Sequence, residues 1–297
     1  MPRGRPTPER ADPAPPAEKW RHELRVAIGL ARWAGARMRA DATQRRTGAG
    51  QASDRSKANP ADLVTATDQA IEIQVRRTLD RHFPRHGVLG EELGRRPGEV
   101  DAPVWLVDPV DGTTNFSNGV GWSCFSLGLV DDAGPLLAVV ADPWRREVYS
   151  AVRGRGATCN GRALSARSVP GLAGQLVMTE WAGHEPWPGM SEVLASLAGR
   201  YCTTRIMGST ALSIVQVAAG RAAGALVGAY HPLDGLPAAL IALEAAAVVV
   251  ELDGRPTLAD AGGLEAASTA PAGAVLVSAP AVKDELLELW RSARPTV

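Results

Sequence analysis

The stretch Trp105-Leu106-Val107-Asp108-Pro109-Val110-Asp111-Gly112-Thr113-Thr114-Asn115 sets the reading of the whole chain. A short apolar run stops at two aspartates three positions apart, with a proline between them and a glycine and hydroxyls directly after. That order puts two carboxylates, a backbone carbonyl and a turn of N–H groups close together, a combination that suits hard divalent cations and phosphate. Acids at the end of a buried strand repel one another and are costly to desolvate unless a cation lies between them. Pro109 stiffens the turn, and Val110 can offer its C=O. Gly112 to Asn115 reads as the opening of a helix or turn, with N–H groups available to an anion. Taken alone, the same residues are also a good turn sequence in which the aspartates cap the backbone.

Strand signals surround this stretch. Gly87–Gly90 precedes the strand Val104–Asp108; Trp122–Val130, Leu136–Ala141 and Glu147–Val152 follow it, separated by turn sequences such as Asp-Asp-Ala-Gly. Upstream, Trp20, Leu24, Ala27, Ile28, Ala31, Ala34 and Met38 recur at helical spacing from Glu18 onward. A second helix carries Ile71, Val75, Leu79 and Phe83, with Thr67 or Asp68 near its start. Residues 1–17 are rich in Pro, Arg and Ala without periodicity and read as a disordered tail, and Thr43 to Asn59 reads as polar and mobile.

After about Leu172 strands and helices alternate. Strands are expected at Leu176–Thr179, Tyr201–Ile206, Gly224–Val227, Val248–Glu251 and Val275–Ser278. Helices are expected near Met190–Leu197 and at Thr210–Ala219, Pro237–Ala246 and Ala281–Ala293. A strand-rich first half and an alternating second half imply α+β followed by α/β.

Composition excludes several classes. The 297 residues carry 32 basic and 32 acidic side chains, so no general pull toward nucleic acid or an anionic membrane follows. Three scattered cysteines without a CxxC pair and five histidines without HExxH spacing give neither a zinc site nor a disulfide framework. Leu236 to Leu252, the most apolar segment, is broken by Glu244 and Glu251 and is short for a membrane span. With no apolar leader at the N-terminus, the chain reads as cytoplasmic. Neither a G-x-S-x-G elbow nor a G-x-x-x-x-G-K-[ST] loop occurs.

What remains is acids at strand ends and helix starts: Asp62 and Asp68, Glu91-Glu92, Asp108 and Asp111, and Asp234. Each has a bland alternative as a cap or solvated loop residue. Their order, however, resembles that of the inositol monophosphatase family of metal-dependent, lithium-sensitive phosphomonoesterases. The matching segments are Lys57 to Asp68, Gly90-Glu91-Glu92, Trp105 to Phe116, Asp142 to Gly161, Arg205 to Ser209 and Asp234 to Ala245, within about Trp20 to Trp290.

The resemblance implies a layered αβαβα sandwich, usually a homodimer. Its halves would be an α+β metal-binding part over 18–170 and an α/β part over 171–297 that completes the active site. Glu91, Asp108, Asp111, Asp234 and the Val110 carbonyl would bind two or three Mg2+ ions, with Asp108 bridging. Glu91 and Thr113 would position the attacking water, Asp68 would accept from Thr113, and the N–H groups of Gly112 and Thr113 would hold phosphate. Gly208, Ser209 and Thr210 would bind substrate, a small phosphate monoester, and Li+ would inhibit. A non-catalytic regulatory member that only binds metal or ligand is the alternative.

Two departures bear on substrate. The family's second signature, W-D-x-A-A or W-D-x-A-G ending in E-A-G-G, here reads Leu233-Asp234-Gly235-Leu236-Pro237 and ends Glu244-Ala245-Ala246-Ala247. Members acting on inositol phosphates tend to carry an acid seven residues before that aspartate, where this chain has Val227. Inositol 1-phosphate is therefore not expected to be the best substrate.

Overall fold

The computed structural model describes residues 20–46, 55–56, 63–252 and 273–293. The proline-rich stretch 1–17 and the segment Lys57 to Asp62 lie outside the described residues. The chain opens with helix α1 (Arg21–Arg46), the short pair β1 (Arg55–Ser56) and β2 (Leu63–Val64), and helix α2 (Ala66–His82). Next come β3 (Gly87–Gly90), β4 (Gly94–Arg96), β5 (Val104–Asp111), the one-turn helix α3 (Thr113–Ser117), β6 (Cys124–Asp131), β7 (Gly134–Asp142), β8 (Glu147–Val152), β9 (Ala157–Cys159) and β10 (Arg162–Ala163). The alternating part follows: β11 (Leu176–Glu180), α4 (Met190–Gly199), β12 (Thr203–Ile206), α5 (Thr210–Ala218), β13 (Gly224–Val227), α6 (Pro232–Glu244), β14 (Val248–Glu251), β15 (Val275–Ser278) and α7 (Lys283–Ala293).

These elements stack in five layers. An eight-stranded sheet of order β10-β9-β8-β7-β6-β5-β3-β4 is antiparallel except where β3 runs beside β5. A five-stranded sheet of order β12-β11-β13-β15-β14 has a parallel core built by helical crossovers. On β5, Trp105 and Val107 pack with Ala31 and Met38 of α1 and Ile71 and Val75 of α2. Leu106 points the other way, into a cluster with Leu212 and Val215 of α5 and Ile241 of α6. That middle helical layer also meets Ala225 and Val227 of β13. The far face of the second sheet, through Val177 and Leu226, buries Val193 of α4 and Trp290 of α7. The order is αβαβα. Because β5 is covered on both faces, all eight of its residues are buried, which explains a continuous apolar run instead of alternation.

Helix α6 differs from the sequence expectation. It begins at Pro232 rather than Pro237, so Asp234 lies in its first turn and Pro237 lies inside it. A proline there leaves the carbonyl four residues back without its helical donor. That carbonyl, of Leu233, accepts instead from the Ser126 hydroxyl of β6 at 3.4 Å. The Pro237 ring itself fills the space a side chain would need at Gly128, also on β6. Smaller shifts follow from local chemistry. β6 starts at Cys124 and β12 at Thr203, two residues later than expected, and α1 runs on through Thr43 to Arg46.

Candidate active site

The Asp-Pro-Val-Asp sequence interrupts its own strand. Between Asp108 and Asp111 the pairing of β5 with β6 slips, and Pro109 has no N–H to give to the ladder. The Val110 N–H turns back to the Asp108 carboxylate at 2.9 Å. Gly112 follows with φ +89°, a left-handed conformation, and a side chain there would collide with the Gly208 carbonyl. The chain then enters α3.

Asp108 and Asp111 at the end of β5 meet Asp234 from the first turn of α6. One oxygen from each lies within 4.8 Å of the others. Burial, with repulsion from Glu91, Asp234 and Asp111, pushes the Asp108 carboxyl well above the usual range. Burial likewise raises Asp111 to about 6, partly offset by hydrogen bonds from Ser209, Ala211 and Thr210. Its Oδ2 accepts from the Ser209 hydroxyl at 2.6 Å and the Ala211 N–H at 2.7 Å, so this carboxylate also holds the N-terminus of α5. Three crowded, mutually repelling carboxylates offering only oxygen are a donor set that fits a hard divalent cation.

The other expected residues take distinct places. Glu91 lies outside the tight cluster but on the wall of the same cavity, about 820 Å3 in volume, with Asp108, Val110, Gly112, Thr113, Gly208 and Asp234. Ser209 and Thr210 line an adjoining cavity of about 540 Å3 that shares Asp111 and Asp234. Asp68 lines neither. It sits fully buried behind Thr113, whose hydroxyl is 3.3 Å from its Oδ1 and 2.9 Å from the Val110 carbonyl. A capping box with Thr65 fixes Asp68 at the start of α2. Burial lifts its carboxyl to about 6, Thr65 pulling it down and Glu91 pushing it up.

Several positioning residues escaped the sequence reading. Buried Glu180, at the end of β11, accepts from the Gly208 N–H at 2.6 Å and the Ser213 hydroxyl at 2.5 Å. Asn115 donates to the carbonyls of Trp122 at 2.8 Å and Met207 at 2.6 Å, tying the Gly112 turn to the loop before α5. Fully buried Glu72 accepts from the N–H groups of Glu92 at 2.7 Å and Leu93 at 3.1 Å and so anchors the loop that carries Glu91. The spacings Thr65-x-x-Asp68 and Glu72-x-x-x-Arg76 are local signals that could have found these pairs; Glu180 and Asn115 act across the fold and leave no spacing signal.

Fold and acid cluster together mark a metal-dependent phosphomonoesterase. The sequence model described as the inositol monophosphatase family matches residues 19–288, and the chain belongs to that family. It is 31% identical over 247 residues to inositol monophosphatase 1 of Sus scrofa, covering 81% of this chain and 87% of the pig protein. The tomato (Solanum lycopersicum) inositol monophosphatase 1 is 36% identical over 200 residues, covering 65% of this chain and 73% of that protein. Among solved structures, inositol monophosphatase from Anabaena superposes with a TM-score of 0.72 at 27% identity, covering 92% of this chain and 97% of that one. The fold alone is shared with the extragenic suppressor protein suhB of Bartonella henselae, at a TM-score of 0.79 and 23% identity over 90% of this chain and 98% of that one.

Proposed function

We propose that the chain hydrolyses a small phosphate monoester by attack of water, with Asp108, Asp111, Asp234, Glu91 and the Val110 carbonyl holding Mg2+. The observation that carries the reading is the convergence of three carboxylates beside the Gly112–Thr113 turn. Mg2+ bound there supplies Lewis-acid neutralisation of phosphoryl charge and a lowered pKa for water. The chain's own residues do the rest. The N–H groups of Gly112 and Thr113 face the position of the phosphoryl oxygens, and Glu91 with the Thr113 hydroxyl orients water for in-line attack. Asp68 and the Val110 carbonyl are the two acceptors within reach of that hydroxyl, at 3.3 and 2.9 Å, and together limit the directions in which it points. Gly208, Ser209 and Thr210 bound the space beside the phosphate and orient the ester's alcohol.

On this reading residues 18–170 supply the metal-binding half and 171–297 the half that closes the site. Inositol phosphate is not the preferred substrate. Val227 is fully buried in the middle core, and no carboxylate takes its place on the described walls beyond the acids already named. The three converging aspartates favour catalysis over a purely regulatory role. The resemblance further supports Li+ inhibition and a homodimer, and the sequence reading supports a cytoplasmic location; among the described residues no helix is long and apolar enough to cross a membrane. Phosphate release from a panel of monoesters, with and without EDTA, tests the activity. Light scattering tests the dimer.

A further inference from the structure

The cavity has two unlike ends. Its floor carries the acid cluster and the Gly112 turn. Its outer wall is formed by the segment after β11 and the turn before α6, which bring Trp181, His184 and His231 to the opening. The same three rings line the adjoining smaller cavity. Trp181 is 43% exposed, so a large part of its indole is open at this mouth. Across both cavities, the described residues add only one acid to those of the floor, namely Glu180. Its carboxylate is already engaged by the Gly208 and Met207 N–H groups and the Ser213 hydroxyl. The outer wall thus offers planar rings, and among the described residues that line the two cavities no further carboxylate joins them.

We propose that this wall selects phosphate monoesters whose alcohol carries a planar aromatic ring, which packs on Trp181 between His184 and His231. The inference rests on the phosphatase reading above and adds the class of leaving group. A ring gains from offset packing on the indole face and from leaving water. A polyol in the same place makes no such ring contact and gains less from Trp181.

The test is the Mg2+-dependent hydrolysis of 2-phenylethyl phosphate and glycerol 2-phosphate, both esters of alkyl alcohols, by the wild type, Trp181→Ala and Trp181→Phe. The wild type is expected to favour the phenylethyl ester in kcat/KM. Trp181→Ala raises KM for that ester about tenfold, the scale of one lost ring contact. It leaves kcat for that ester as it was and moves KM for the glycerol ester much less, and Trp181→Phe recovers most of the loss. Circular dichroism and a thermal melt report that the variant is folded. A wild-type preference for glycerol 2-phosphate, or an equal effect of Trp181→Ala on both esters, overturns the aromatic class and leaves the phosphatase reading standing. Hydrolysis of neither ester by the wild type overturns the phosphatase reading and this inference with it.

Discussion

The Ser209 hydroxyl donates to the Asp111 carboxylate at 2.6 Å, joining the first turn of α5 to the end of β5. Together with the Thr210 and Ala211 N–H groups, which donate to the same carboxylate at 3.3 and 2.7 Å, it links the second half of the chain to an acid of the cluster. Ser209 also caps α5 by accepting from the Leu212 N–H at 3.3 Å.

Removing that hydroxyl is expected to weaken both folding and metal binding. A hydrogen bond to a charged group contributes about 1.5–3 kcal/mol, and a lost cap costs about 1 kcal/mol. Ser209→Ala should raise the Mg2+ concentration for half-maximal activity by about tenfold while the protein still unfolds cooperatively. Metal titrations of the rate, beside a urea melt, separate the two effects. An unchanged Mg2+ requirement contradicts the role given to this contact.

Glu180 gives a pH dependence with a defined sign. Burial raises its carboxyl from the usual value near 4.5 to about 7, with the Ser213 hydroxyl and Gly208 N–H opposing and Asp111 adding. Below about 4.5 the acid is protonated whether the chain is folded or not, and its stabilising share is fully present. Between 4.5 and 7 the unfolded chain releases the proton first, so stability falls as pH rises and levels off above the folded value. Glu180→Gln should flatten this part of the stability–pH curve, measured by urea unfolding of metal-free protein from pH 5 to 8. A curve of unchanged slope contradicts it.

Gly90 and Glu72 form a second interlock. A side chain at Gly90 would collide with the Glu72 carboxylate, and Glu72 pairs with Arg76 at 2.9 Å. Glu72→Ala leaves a largely buried guanidinium unpaired and should cost about 3 kcal/mol. It should also lower kcat by loosening the loop of Glu91. Thermal melts and steady-state rates check both; full activity in a destabilised variant would show that Glu91 does not need this anchor.

How much of this was legible in the sequence depended on the range of the interaction. The strands Gly87–Gly90, Gly224–Val227 and Val275–Ser278 coincide with their expected bounds, because short apolar runs between turn residues already encode a doubly covered strand, and Glu147–Val152 coincides because turn sequences bound it on both sides. The cluster was visible through Asp108, Asp111 and Asp234, whose carboxylates the fold brings together. The start of α6 was misplaced because Pro237 reads as a first-turn residue. The Ser126 hydroxyl, from a distant strand, takes the place of the helical donor that Pro237 lacks. The edge strand β4, Gly94–Arg96, is polar and exposed and gave no apolar signal.

Ala246 carries a cost that its neighbours do not reveal. It ends α6 with φ +62°, where an alanine is strained by about 1 kcal/mol and a glycine is not. Ala246→Gly should therefore stabilise the protein by about that amount, less the extra freedom that glycine gives the unfolded chain. A melting temperature that falls on this substitution contradicts the strain.

The central claim is that the three aspartates make one metal site on which phosphate hydrolysis depends. The most direct measurement is inorganic phosphate release from an aryl phosphate by wild type and Asp108→Asn, each with Mg2+ and with EDTA. Asparagine keeps the shape and removes the charge that burial and Asp111 and Asp234 oppose. The account predicts Mg2+-dependent release by the wild type, none with EDTA, and none from folded Asp108→Asn under either condition. Release that survives the substitution, or that ignores EDTA, contradicts it.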